Sequence, residues 1–127
     1  MVNNNAKKAI LSFGTIAAIA LEVANKLTSE GKALDAYSLP CLKPINEEKM
    51  IKTLCKYNVI CTLEEHNIIG GLSSIISDII ARNGLAIRLQ SFAINDRLCC
   101  EVGDQDYLRQ ANKIDFKSVY KTISEDW

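Results

Sequence analysis

Val59-Ile-Cys-Thr-Leu-Glu-Glu-His-Asn-Ile-Ile-Gly-Gly-Leu-Ser-Ser74 changes its period halfway along. Val59 to Leu63 is a short apolar run with β-branched residues, bounded by polar groups, and reads as a buried strand. Gly70-Gly71 makes a turn. From there Leu72, Ile75, Ile76, Ile79 and Ile80 recur at the spacing of one helix face. The stretch is therefore a strand–loop–helix corner. Glu64, Glu65 and His66 sit at the strand's C-terminal end, where α/β sheets gather ligands and partner domains.

The same alternation runs outward in both directions. Ala9 to Phe13 reads as a first strand, Gly14-Thr15 as a turn with Thr15 at the helix N-cap, and Ile16, Ile19, Ala20, Val23, Ala24 and Leu27 as an apolar stripe closed by Gly31. Ala33 to Leu39 is a second strand, stopped by Pro40 and Pro44. Asn46 caps a helix with Glu47 and Glu48 in its first turn and Met50, Ile51, Leu54 and Tyr57 on its buried side. After the corner helix ends at Asn83-Gly84, Ala86 to Ala93 is a fourth strand, and Ile94 to Val102 a loop. A short helix from Gly103-Asp104 to Asn112 and a last helix capped by Asp115 complete the chain. Residues 1–6 are expected to fray. The fold class is thus α/β, a three-layer α/β/α sandwich around a mainly parallel sheet, in one domain over residues 1–127.

Composition narrows the function. The 127 residues carry 15 basic and 15 acidic side chains, so no basic patch invites nucleic acid, and aromatics are too few for a base-stacking platform. Lys7-Lys8 followed by an apolar run to Leu21 resembles a signal peptide. The run is interrupted by Ser12, Gly14 and Thr15, and it is too short to span a bilayer, so no membrane role is expected. Five cysteines without a C-x-x-C pair, and a single histidine, argue against zinc and for a reducing, cytoplasmic setting. Cys41 and Cys61 read as small buried hydrophobes, and Cys99-Cys100 as a vicinal pair of reduced thiols.

Little in the chain spells catalysis. Glu64 and His66 face one way on a strand and Glu65 the other, so a general base or metal pair is conceivable, but a third metal ligand is lacking. Pairing with an arginine, with backbone amides or with a neighbouring domain is the simpler role. Asn67 to Ser74 has glycines before a helix, as a phosphate cradle does, yet it matches no phosphate-binding motif and two glutamates precede it. Ile68 and Ile69 are large apolar loop residues, which suggests a docking surface if they are exposed. Asp96-Arg97 reads as a local turn or ion pair. The acids between Glu101 and Asp106 lack the spacing of a calcium loop.

Leu39-Pro-Cys-Leu-Lys-Pro44, Glu64-Glu-His-Asn-Ile-Ile-Gly-Gly-Leu72 and Glu101-Val-Gly-Asp-Gln-Asp-Tyr-Leu-Arg109, in this order, resemble the C-terminal domain of transketolase-like, thiamine diphosphate-dependent enzymes. Gly14-Thr15 before an alanine-rich helix fits that family's opening turn. The resemblance covers about Lys7 to Ile123. It implies a five-stranded sheet whose first strand is antiparallel. The four strands read here would be the parallel ones, in the order second-first-third-fourth, with the antiparallel strand missing or cut short. It also implies membership of an enzyme that moves a two-carbon ketol unit between sugar phosphates with thiamine diphosphate and a divalent metal, magnesium.

Those groups bind pyrophosphate-binding and pyrimidine-binding domains, and neither is present in these residues. No catalytic, cofactor or metal residue is carried over to this chain. The implied role is scaffold and interface, within an enzyme that forms a dimer. The expected contact surface is Glu64, Glu65, His66, Asn67, Ile68, Ile69, Gly70 and Gly71, with Ile94, Asp96 and Arg97. Two other roles remain open. One is a free-standing module that senses a small anion. The other is the same domain from a 2-oxo acid dehydrogenase or a deoxyxylulose-phosphate synthase.

Overall fold

The structure is a computed structural model that describes residues 1–3, 5–94 and 102–127. Four strands, β1 (Lys8–Phe13), β2 (Leu34–Leu39), β3 (Val59–Asn67) and β4 (Arg88–Ile94), form one parallel sheet in the order β2-β1-β3-β4. Five helices connect and follow them: α1 (Ala17–Ser29), α2 (Glu47–Leu54), α3 (Leu72–Arg82), α4 (Gln105–Ala111) and α5 (Phe116–Glu125).

The strand residues alternate between two cores, as a pleated strand buried on both faces requires. Ile10, Cys61 and Leu63 face α1 and α5, where Val23, Leu27, Val119 and Ile123 close the layer. Ala9, Leu11 and Ile60 face α2 and α3, against Met50, Leu54, Leu72 and Ile76. This is the three-layer sandwich in the order anticipated. The N-terminal run that resembles a signal peptide is split between β1 and α1. No helix among the described residues is long and apolar enough to cross a membrane.

Two local expectations are corrected. Met1–Asn3 does not fray: Met1 exchanges both backbone hydrogen bonds with Ala36, and Asn3 N–H donates to the Asp35 carboxylate. Thr15 is not the cap of α1. Ile16 holds that position with helical dihedrals, which point no side-chain acceptor at the first free amides. The Asn46 and Asp115 caps form as read, and Asp104 caps α4 in the same way, each side chain accepting an amide three residues on.

The far end of the chain is tied back beneath the sheet. The Lys8 ammonium donates to Asp126 O at 2.8 Å and lies 4.5 Å above the Trp127 ring, while Arg88 pairs with the Asp126 carboxylate. Burial and then the nearby Arg88 charge lower the Lys8 pKa from its ordinary value.

Candidate functional site

β3 carries the corner. Leu63 is its last residue in regular register; a bulge follows, and pairing resumes at Asn67 opposite Ile94. The bulge re-aims the side chains of Glu64, Glu65 and His66. Glu64 points into the molecule and is fully buried, at 0% exposure. Its two carboxylate oxygens accept from Leu72 N–H at 2.9 Å and Ser73 N–H at 2.8 Å. These are free amides at the start of α3, whose N-cap position is Gly71 and offers no side chain. A carboxylate from the strand therefore caps the helix and meets the positive end of its dipole.

The glycines make room for this. Gly70 has φ +84°, a conformation that side chains resist, and a Cβ on Gly71 would fall inside the Glu64 carboxylate with Asn67 O 3.2 Å away. The rest of the loop is also hydrogen-bonded internally. Ile68 N–H donates to Ile94 O at 2.8 Å, Ile69 N–H to Asn67 Oδ1 at 2.9 Å and Gly70 N–H to Ser74 Oγ at 2.8 Å. A phosphate would find these amides taken.

Glu65 turns to the other side. It accepts from the Arg109 guanidinium, from Gln105 at 3.2 Å and from Thr15 at 3.4 Å. Three segments of the chain, β3, α4 and the turn before α1, meet at this one carboxylate. His66 is exposed and lies against Phe13, with ring centroids 5.6 Å apart. The pairing expected for the glutamates, with backbone amides and with an arginine, is what the structure has. The two acids share no site and face no open cavity together.

Among the predicted contact residues, Ile94 and Ile68 are brought together by their backbone bond, and both are half-buried. Ile69 is 66% exposed. Asp96 and Arg97 lie outside the described residues, as do Cys99, Cys100 and Glu101. Cys61 is buried as expected, but Cys41 is exposed, because Pro40 carries it off the end of β2 and out of the core.

Asp35 was not singled out by its sequence. It is buried on β2 and accepts from Asn3 and from the Tyr57 hydroxyl, which also meets the Tyr37 hydroxyl at 2.6 Å. Burial, and then the bond to Asp35, raises the Tyr57 pKa above its ordinary value. The one signal was an acid between Leu34 and Ala36 in an otherwise apolar strand.

Residues 1–119 match the family described as transketolase, C-terminal domain. One of the subunits of an apulose-4-phosphate transketolase from Actinobacillus succinogenes is 28% identical over 121 residues, covering 94% of this chain and 38% of that protein. A 1-deoxy-D-xylulose-5-phosphate synthase of Aquifex aeolicus is 32% identical, covering 91% of this chain and 18% of that protein. A solved split-gene transketolase, described as an inactive beta4 tetramer, superposes with a TM-score of 0.83 at 25% identity, over 95% of this chain and 39% of its own. The chain thus spans well under half the length of these relatives. By sequence over residues 1–119, and by fold, it belongs to the transketolase C-terminal domain family.

Proposed function

We propose that this chain is the C-terminal domain, or a separately encoded subunit, of a transketolase-type enzyme, and that it serves as scaffold and assembly interface. The enzyme would transfer a two-carbon ketol unit between sugar phosphates on its pyrophosphate-binding and pyrimidine-binding domains, in a dimer and in a reducing, cytoplasmic setting.

Thiamine diphosphate and its metal are what the family implies. The corner does not fit them. The amides that would meet a pyrophosphate already hold Glu64, and among the described residues no three His, Cys, Asp or Glu side chains gather to hold a metal. The chain alone is proposed to be inactive.

The observation that carries the reading is this internal satisfaction of Glu64 and Glu65 beside an exposed Ile69. The charged groups hold the corner rigid, and the apolar residue is left to face a partner. Replacing Ile68 and Ile69 by serine should weaken association with the subunit or domains that carry the cofactor by about tenfold, while the circular dichroism spectrum stays the same. Association unchanged in size-exclusion runs would remove this surface.

The 32% identity to a deoxyxylulose-phosphate synthase favours a second reading, in which the same domain serves that enzyme. Restoring one activity or the other, by adding this chain to either enzyme lacking its own C-terminal domain, separates the two.

A further inference from the structure

Asn83-Gly84 is the only asparagine in the sequence that a glycine follows, and it closes α3. Gly84 takes φ +59°, in the left-handed region that ends many helices. Its N–H donates to Ala81 O at 3.3 Å, and Leu85 N–H reaches back to Ile80 O at 3.0 Å. Asn83 is exposed. Its side-chain amide donates to Ile79 O at 2.8 Å and, across to α2, to Glu47 Oε1 at 3.4 Å. Arg82 meets the same Glu47 oxygen at 2.9 Å.

These two residues can react with each other. The Gly84 nitrogen attacks Cγ of Asn83, so an N–Cγ bond forms and the Cγ–Nδ2 bond breaks. Nδ2 leaves as ammonia, taking with it the proton that the Gly84 nitrogen gives up. The product is a five-membered imide, which water then opens. Opening at Cγ leaves an aspartate. Opening at the main-chain carbonyl carbon of Asn83 leaves an isoaspartate, in which the backbone runs through the former side chain. Glycine favours the attack because no Cβ shields its nitrogen, and the space where a Cβ of Gly84 would stand is open.

The closed end of α3 prevents the step. Ring closure needs Asn83 Cβ and the Gly84 nitrogen to eclipse each other about the Cα–C bond, and at the ψ of 3° found here they stand well apart. The Gly84 N–H is engaged by Ala81, and Nδ2 is held between Ile79 and Glu47. The last turn of α3 has to open before the ring can form. The product does not restore that turn. It sets a carboxylate at the negative end of the helix dipole, where charge of that sign is unfavourable. The new group also faces Glu47, whose carboxyl is held below its ordinary value by the Arg82 bond and then by the Asn83 bond, and is therefore charged at neutral pH.

We propose that Asn83 is a modification site at which the chain deamidates itself, that the closed end of α3 withholds the reaction until that end opens, and that the carboxylate formed beside Glu47 keeps it open. The modification is thus a one-way record of α3 opening. It lies apart from the corner at Glu64 and does not rest on the role proposed there.

The test incubates the chain at mildly alkaline pH, native and in guanidinium chloride. Asn83 is followed by mass spectrometry of its peptide and by enzymatic methyl transfer from S-adenosylmethionine to isoaspartate. Unfolded, Asn83 should react before every other asparagine. In the native chain it should react at least about tenfold more slowly. Glu47→Ala removes the hold from α2. It should quicken both the native reaction and hydrogen exchange at Leu85, each by about two- to fivefold, as fits the loss of an exposed pair. Asn83→Asp, which carries the charge of the product, should also quicken exchange at Leu85. A native rate equal to the unfolded one, another asparagine reacting first, or a Glu47→Ala chain that deamidates no faster than the original would each overturn the proposal.

Discussion

Glu64 and Gly71 are adjusted to each other at atomic distance, and each constrains what the other can be. Gly71→Ala puts a methyl group where the carboxylate stands and should cost about 1–3 kcal/mol by overpacking, read from urea unfolding. A wild-type midpoint would show that the corner gives way freely. Thr62 offers the reverse case. It is fully buried, and its hydroxyl has no partner among the described residues. Thr62→Val should raise stability by about 1 kcal/mol by removing an unmade hydrogen bond. Cys61 sets a pH dependence. Burial pushes its thiol up from 9.0 to about 12. A raised folded pKa stabilises fully below the unfolded value, and the contribution is lost as pH rises through the folded one. Unfolding free energy should therefore decline from about pH 9 upward, with Tyr57 adding to the decline from about pH 10, and Cys61→Ala should flatten the first part. An unaltered profile in that variant would locate the decline elsewhere. At this scale the sequence was half legible. The glutamates could be placed at a strand end with amide and arginine partners in view. That Glu64 is wholly buried depends on a bulge in β3, and that Asp35 is satisfied depends on Tyr57, 22 residues away. Neither follows from local spacing.

At the scale of elements, α4 is the least embedded helix. It has no buried residue, and it meets the sheet through Arg109 and Gln105 on Glu65. Arg109→Ala should speed hydrogen exchange of the α4 amides by at least about tenfold and lower global stability by only about 1–2 kcal/mol, since the lost bond is charged but partly exposed. Exchange that rises evenly over α1, α3 and α4 would mean the pair supports the whole fold and not one helix. Periodicity revealed the strands and the longer helices because the strands are buried between two layers and each longer helix on one face, whereas α4, with no buried face, was legible only from its Gly103-Asp104 start. The cap of α1 was misread for a related reason. Thr15 has the right chemistry in the right place along the chain, but its hydroxyl is turned toward Glu65, a partner 50 residues away.

Across the whole molecule, the first strand and the last residues are joined. Lys8 and Arg88, at the starts of β1 and β4, hold Asp126, and Lys8 covers Trp127, the single tryptophan. Arg88→Ala should shift tryptophan emission to the red and loosen the last turn of α5, with a stability change within about 1 kcal/mol because the pair is half exposed. Emission that stays in place would show that the cation–π contact alone secures the end. The strand order was legible through resemblance and not through spacing, since a hydrophobic pattern says which strands are buried and not which neighbour each one takes.

A helix that waits for a phosphate is unfinished until one arrives. α3 carries its own counter-ion on the neighbouring strand, so this corner is complete in plain buffer. In the role proposed for it, the domain would enter assembly with this corner already finished, whatever anions surround it.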